Sequence, residues 1–212
     1  MDTSSWTEIT ASDELRALLG EPSERVARKA RPRLHEHDRA WLAASPFCLL
    51  ATSAADGSCD VSPKGDPRGF VHVLDDTTIA IPERPGNRRA DGYLNVLSNP
   101  HVGLLFLVPG RGDTLRINGR ARIIREAPFL DAMVVKGHRP VLALVVDIEE
   151  VFYHCSKAFL RSQLWEAASW DAGGLPSRAV IARALERPEE RLEDLERYYG
   201  PDYARGLYAQ PR

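Results

Sequence analysis

Cysteine is scarce in this chain: Cys48, Cys59 and Cys155 are the only three in 212 residues. An odd, irregularly spaced set builds no disulfide framework, and without a CxxC pair it offers no zinc site of the usual kind. The expected home is a reducing cytoplasm. Long apolar runs are missing too. None nears the roughly 18 to 20 residues of a membrane span, and the first six residues, Met1 to Trp6, lack the basic-then-apolar order of a secretory leader. Neither charge sign dominates, with 28 Lys and Arg against 30 Asp and Glu, a formal net charge of −2. Nucleic acid is therefore not an expected partner, and any affinity for an anion must come from a local cluster. Also lacking is the Gly-rich strand-to-helix fingerprint of dinucleotide-binding sheets.

What is present is an ordinary globular mix, 43% hydrophobic and 27% charged, long enough for one domain with helical additions. The organisation reads as a helical N-terminal extension (1–45), a β-rich body (46–170) and a helical C-terminal extension (171–212), together one structural domain. In the first segment, Ser12, Asp13 and Glu14 precede Leu15, Leu18 and Leu19, and Gly20 and Pro22 mark a stop. A second helical pattern around Val26 is limited by Pro32. His35 and His37 flank Glu36 and look metal-like. Read as part of the helix leading to Trp41, they point in different directions, and no metal site is expected.

From Phe47 the period changes to two. Phe47 to Thr52 and Cys59 to Pro63 flank the turn signal Asp56-Gly57 and read as a hairpin. Strands are expected at 70–74, 77–81, 101–108, 114–123 and 140–152. Short helices are expected at 91–97 and 126–133. Six or so antiparallel strands with few helices between them indicate a barrel rather than a doubly wound sheet. Residues 153–165 and 177–199 read as helical, the latter broken at Pro188.

The loop from Ile81 to Asp91 is the stretch around which the rest is organised. It packs Pro82, Pro85, Gly86 and Asn87 beside Arg84, Arg88 and Arg89. Fork-shaped guanidinium donors next to Gly and Asn suit a phosphate, although the same residues also serve as a solvated basic turn. Lys64, Arg68, Arg116, Lys157 and Arg161 add cations at strand ends and in loops. His154, Lys157, Arg161 and Trp165 recur three, four and four residues apart, which on one helix would share a face. Cys155 lies among these cations, yet no further motif completes a nucleophilic triad.

Three stretches, 49–66 (LLATSAADGSCDVSPKGD), 81–106 (IPERPGNRRADGYLNVLSNPHVGLLF) and 114–123 (TLRINGRARI), resemble the pyridoxamine 5′-phosphate oxidase-like proteins with the FMN-binding split barrel. Residues 154–165 (HCSKAFLRSQLW) are similar to the C-terminal signature of one bacterial subgroup. The resemblance implies a homodimer with two FMN sites at its interface and an oxidoreductase acting on a small molecule. It would place Val61, Ser62, Pro63, Lys64 and Gly65 against the flavin ring and ribityl chain. Arg84, Asn87 and Arg88 would hold the phosphate, with Arg116 closing the same region and Pro82 among the cofactor-binding residues. Lys157, Arg161 and Trp165 would add cofactor contacts, and His154, Lys157 and Arg161 are the candidate catalytic groups. The substrate-phosphate motifs and C-terminal Arg-x-His signature of true pyridoxamine 5′-phosphate oxidases are missing, so vitamin B6 oxidation is not implied. Two other readings stay open: a flavin carrier without a substrate, and a split-barrel relative binding haem or F420. For haem, His72, His101, His138 and His154 are the available axial ligands.

Overall fold

The computed structural model describes residues 1–171 and 173–208. Its contacts divide the chain into two compact units, Met1–Ala30 and Arg31–Arg212. The first contains helices α1 (Ser12–Leu19) and α2 (Glu24–Ala27), neither with a buried residue. Gly20, at φ +76°, ends α1 as the sequence indicates.

The second unit is built on one seven-stranded antiparallel sheet with flanking helices, the architecture of a split barrel. The strands are β1 (Phe47–Ser53), β2 (Cys59–Gly65), β3 (His72–Val73), β4 (Thr78–Pro82), β5 (His101–Leu107), β6 (Thr114–Ile124) and β7 (Ala143–His154). They lie in the order β2-β1-β5-β6-β7-β4-β3. The alternation read from the sequence sets which face is buried. Cys48 and Leu50, Leu104 and Phe106, and Leu115 and Ile117 point inward from three neighbouring strands and are at most 1% exposed. Helix α3 (Glu36–Ala44) contributes Trp41 and Leu42 to this core, and α4 (Asp91–Ser98) contributes Val96. At β4 and β7 the other face is covered as well. There Ala80, Ala143 and Val145 meet Leu130 and Met133 from the 3-10 helix Pro128–Met133, so these strands read as unbroken apolar runs.

A register shift between Asn118 and Gly119, which pair with Glu150 and Ile148, marks a β-bulge whose extra residue, Glu149, lies in β7. A Cβ on Gly119 would stand 2.1 Å from the backbone oxygen of Asp147. Gly119→Ala must push β7 away from β6, and a loss of about 1–3 kcal/mol or more is expected from the urea midpoint.

The sequence reading of His35 needs correction. The residue is not helical but is the N-cap of α3. Its Nδ1 accepts the His37 amide, while Asp38 accepts the His35 amide at 2.7 Å. Being outside the helix, the His35 ring comes within 4.9 Å of the His37 ring.

Asp38 is fully buried and takes a bidentate pair from Arg31 at 2.7 and 3.0 Å. Burial raises its pKa, but the Arg31 and His35 hydrogen bonds outweigh this and the net shift is below 3.8. A depressed folded-state pKa gives stability that is complete above the unfolded value and is lost as pH falls through the folded one. Unfolding free energy should therefore drop below about pH 4, and Asp38→Asn should flatten that acid limb.

The helical reading of residues 153–165 is also corrected. Strand β7 runs through His154, and helix α5 covers only Lys157–Ser162. Gln163, at φ 51°, stops it by donating to the Leu160 and Phe159 carbonyls. The expected helix at 126–133 is the 3-10 turn already named, and the segment 177–199 forms α6 (Arg178–Leu185) and α7 (Leu192–Tyr198).

Candidate functional site

Strand β2 is an edge strand, hydrogen-bonded to β1 on one side only. Its side chains alternate: Asp60, Ser62 and Lys64 are half-buried, whereas Val61, Pro63 and Gly65 are exposed. Facing it is the loop after β4, which turns into the N-terminus of α4. Between them lies a cavity of about 300 Å³ bounded by Leu50, Asp60–Lys64, Glu83 and Asn87–Tyr93.

The loop holds an unusual backbone. Arg88 and Ala90 sit at φ 62° and 57°, a left-handed region costly for side-chain-bearing residues, on the order of 1–2 kcal/mol each. Asn87 Oδ1 accepts the Arg89 amide at 3.1 Å, and Arg89 pairs with Asp91 at 2.6 Å. Helix α4 begins immediately after this kink, so its first amides and the positive end of its dipole face the cavity region. Gly92 lies where α4 meets β2, and a Cβ there would stand 3.1 Å from Asp60 Oδ2, which would have to shift by a few tenths of an ångström.

One wall is a polar triad. Glu83 Oε2 accepts from Lys64 Nζ at 3.1 Å and from the Tyr93 hydroxyl at 2.5 Å. The Lys64 ammonium also lies 4.9 Å from the Tyr93 ring centroid. Burial first, and the Glu83 charge second, push the Tyr93 pKa far above its ordinary value. Tyr93 therefore stays a phenol that donates to Glu83, and the pair holds the Lys64 side chain in place.

Of the residues singled out from sequence, Val61, Ser62, Pro63, Lys64, Asn87 and Arg88 come together here. Gly65 and Pro82 flank the cavity in sequence but do not line it. Arg84 is turned away and committed elsewhere: its Nε meets Asp66 at 2.5 Å and its NH2 meets the Met133 carbonyl at 2.7 Å. The Arg84 side chain is 14% exposed and the Asp66 side chain 1%.

Arg116 lies on the outer sheet face. Cross-strand pairing sets Pro63, Leu49, Leu105, Arg116 and Phe152 in one row. Three strand spacings separate Arg116 from Pro63, roughly 14 Å. The guanidinium lies over the Phe152 ring at 5.3 Å.

Lys157, Arg161 and Trp165 are not at this cavity either. Trp165 lies beyond the end of α5, donates to the Arg111 carbonyl at 2.7 Å and stacks on Phe159. His154 closes β7 opposite Thr114. The four histidines weighed as haem ligands stand on separate elements: His72 in β3, His101 in β5, His138 after the 3-10 turn, and His154 in β7.

Glu83 and Tyr93, the partners that hold Lys64, were not singled out from sequence, nor were Asp60 and Asp91. No local signal marks them, because the triad joins three elements. Among the described residues the one cluster with metal-ligating spacing is exposed His35, Glu36 and His37, within 4.8 Å of one another. Its His35 Nδ1 is engaged in the α3 cap. A larger cavity of about 470 Å³, between α3 and the 108–113 turn, is lined by His37 and by none of the residues the sequence indicated for a cofactor.

The fold is an antiparallel split barrel with a polar cavity between an edge strand and a helix N-terminus. The profile of the pyridoxamine 5′-phosphate oxidase family matches residues 34–155, more than half of the chain. The chain belongs to this family, whose members typically bind flavin. No curated protein matches it. Among solved structures, HupZ of Group A Streptococcus is 18% identical, with a TM-score of 0.46 over 57% of this chain and 93% of that one. An FMN-binding pyridoxamine 5′-phosphate oxidase-related protein of Nostoc punctiforme is 14% identical, with a TM-score of 0.38 over 55% and 78%. An F420 reductase is 15% identical, with a TM-score of 0.41 over 57% and 98%. Among the described residues, no helix is long and apolar enough to cross a membrane.

Proposed function

We propose that the cavity between β2 and residues 87–93 binds FMN and that the protein is an FMN-dependent oxidoreductase acting on a small molecule. The observation that carries this reading is the strained Asn87–Ala90 kink, facing an edge strand whose outward backbone groups have no strand partner. A phosphate suits the kink: Arg88, Arg89 and the first amides of α4 supply donors, and the helix dipole favours negative charge. The edge backbone at Val61–Lys64 suits the hydrogen-bonding rim of a flat heterocycle. FMN, when bound, supplies hydride and electron transfer. The chain's own residues bind and orient it, and Glu83 and Tyr93 position Lys64 beside the site.

A cavity of about 300 Å³ is at the small end of ligand pockets, roughly 300–1,000 Å³. This favours completion of the site by a second copy, which we infer makes a homodimer through the outer sheet face. That face carries the half-buried row from Leu49 to Phe152, next to exposed Val61 and Pro63. Arg116 sits in the middle of it and would then serve the partner's site rather than its own. Lys157, Arg161 and Trp165 would act across the same interface. Segments 1–45 and 171–212 are read as extensions of the barrel segment 46–170, in a cytoplasmic protein.

The test is the visible spectrum of the purified protein. The expected result is a flavin spectrum with FMN released on heating and identified by mass, bleached anaerobically by NADH or NADPH. A colourless protein that stays so after incubation with FMN would sink the cofactor assignment. A coloured protein that no donor or substrate reduces would sink the enzyme assignment alone.

A further inference from the structure

Beside the cofactor cavity, and sharing Glu83 with it, lies a second cavity of about 210 Å³ lined by Arg84, His138, Arg139, Val141 and Tyr208. Tyr208 comes from the far end of the chain and makes an unusually complete set of contacts. Its hydroxyl donates to Asp66 Oδ1 at 2.5 Å, while the other carboxylate oxygen takes Arg84. Arg84 Cζ and Lys136 Nζ lie 5.7 and 5.5 Å from the centroid of its ring. The His138 imidazole stacks on it at 6.0 Å, the two planes 21° apart.

The walls of this site are preformed. Asp66 is fixed by Arg84, which also grips the carbonyls of Met133 and His138. Lys136 is held on a two-residue turn closed by reciprocal Val135–His138 hydrogen bonds. Both turn residues have positive φ, 50° at Lys136 and 80° at Gly137. A lysine rather than Asn or Gly at the first position is unfavourable. Here that conformation brings the ammonium over an aromatic ring. In the preceding tail Tyr203 and Leu207 are both more than half exposed, with Tyr203 lying against the Tyr198 and Tyr199 rings.

We propose that Asp66, Arg84, Lys136 and His138 form a receptor for a phenol, occupied in cis by Tyr208 and open to a free para-substituted phenol when the tail is displaced. The chemistry selects this class. Two cations and an imidazole favour an aromatic ring, and the buried carboxylate favours a ligand that brings a hydrogen-bond donor to Asp66 Oδ1, as the Tyr208 hydroxyl does. The cavity alongside leaves room for a para substituent. A tethered tail acts at an effective concentration on the order of millimolar, so a free phenol competes in that range. The inference does not depend on flavin occupying the neighbouring cavity.

The experiment titrates 4-methylphenol into the full-length protein and its Tyr208→Ala variant, followed by NMR chemical shifts including the His138 imidazole. Toluene serves as the ligand without a hydroxyl. Saturable binding at least about tenfold tighter in Tyr208→Ala, perturbing His138 and not reproduced by toluene, is the expected result. Equal affinity in both proteins, no saturable binding to Tyr208→Ala, or toluene binding as well as the phenol would overturn it.

Discussion

Asp66→Ala is expected to cost the fold about 3–5 kcal/mol, the usual consequence of breaking a buried ion pair from one side. The carboxylate is 1% exposed and receives both Arg84 and the Tyr208 hydroxyl. Removing it leaves the Arg84 charge largely buried against uncharged partners, the carbonyls of Met133 and His138 and the Tyr208 ring. Urea unfolding measures the loss. The paired replacement Asp66→Leu with Arg84→Met should recover much of it, because the isolated charge is then gone. Arg84 is consequently a poor probe of phosphate binding: Arg84→Ala alters stability first.

The second large effect is expected at Arg88. Arg88→Ala should weaken FMN binding about 10–100-fold, the value of one charge-assisted hydrogen bond at roughly 1.5–3 kcal/mol. The urea midpoint should hardly move, because Arg88 is exposed and alanine in the same left-handed conformation carries a similar strain. A variant with unchanged FMN affinity would remove Arg88 from the phosphate site. Comparing the two substitutions separates a residue that holds the loop from one that holds the ligand.

The barrel was largely legible in the sequence because its signal is local. Alternation placed β1, β2, β5 and β6 within two residues of their observed ends, and Asp56-Gly57 marked the β1–β2 hairpin. The site was legible only where neighbours in sequence are neighbours in space, as at Val61–Lys64 and Asn87–Arg88. Arg84 reads as one of three clustered arginines. Its partner Asp66 lies 18 residues away, and Tyr208, which shares that carboxylate, lies 142 residues from it. No periodicity encodes such pairings. The kink at Arg88 and Ala90 was hidden because neither is the glycine or asparagine that usually announces positive φ. Residues 154–165 misled differently: a regular spacing of His, Lys, Arg and Trp ran from a strand end, through six helical residues, to a residue beyond the helix.

The central claim, that FMN sits between β2 and the Asn87–Ala90 kink, is tested most directly by titrating cofactor-free protein with FMN and following flavin fluorescence. A saturable change at one FMN per chain is expected. A linear response with no saturation, or an affinity that riboflavin matches despite lacking the phosphate, would contradict it.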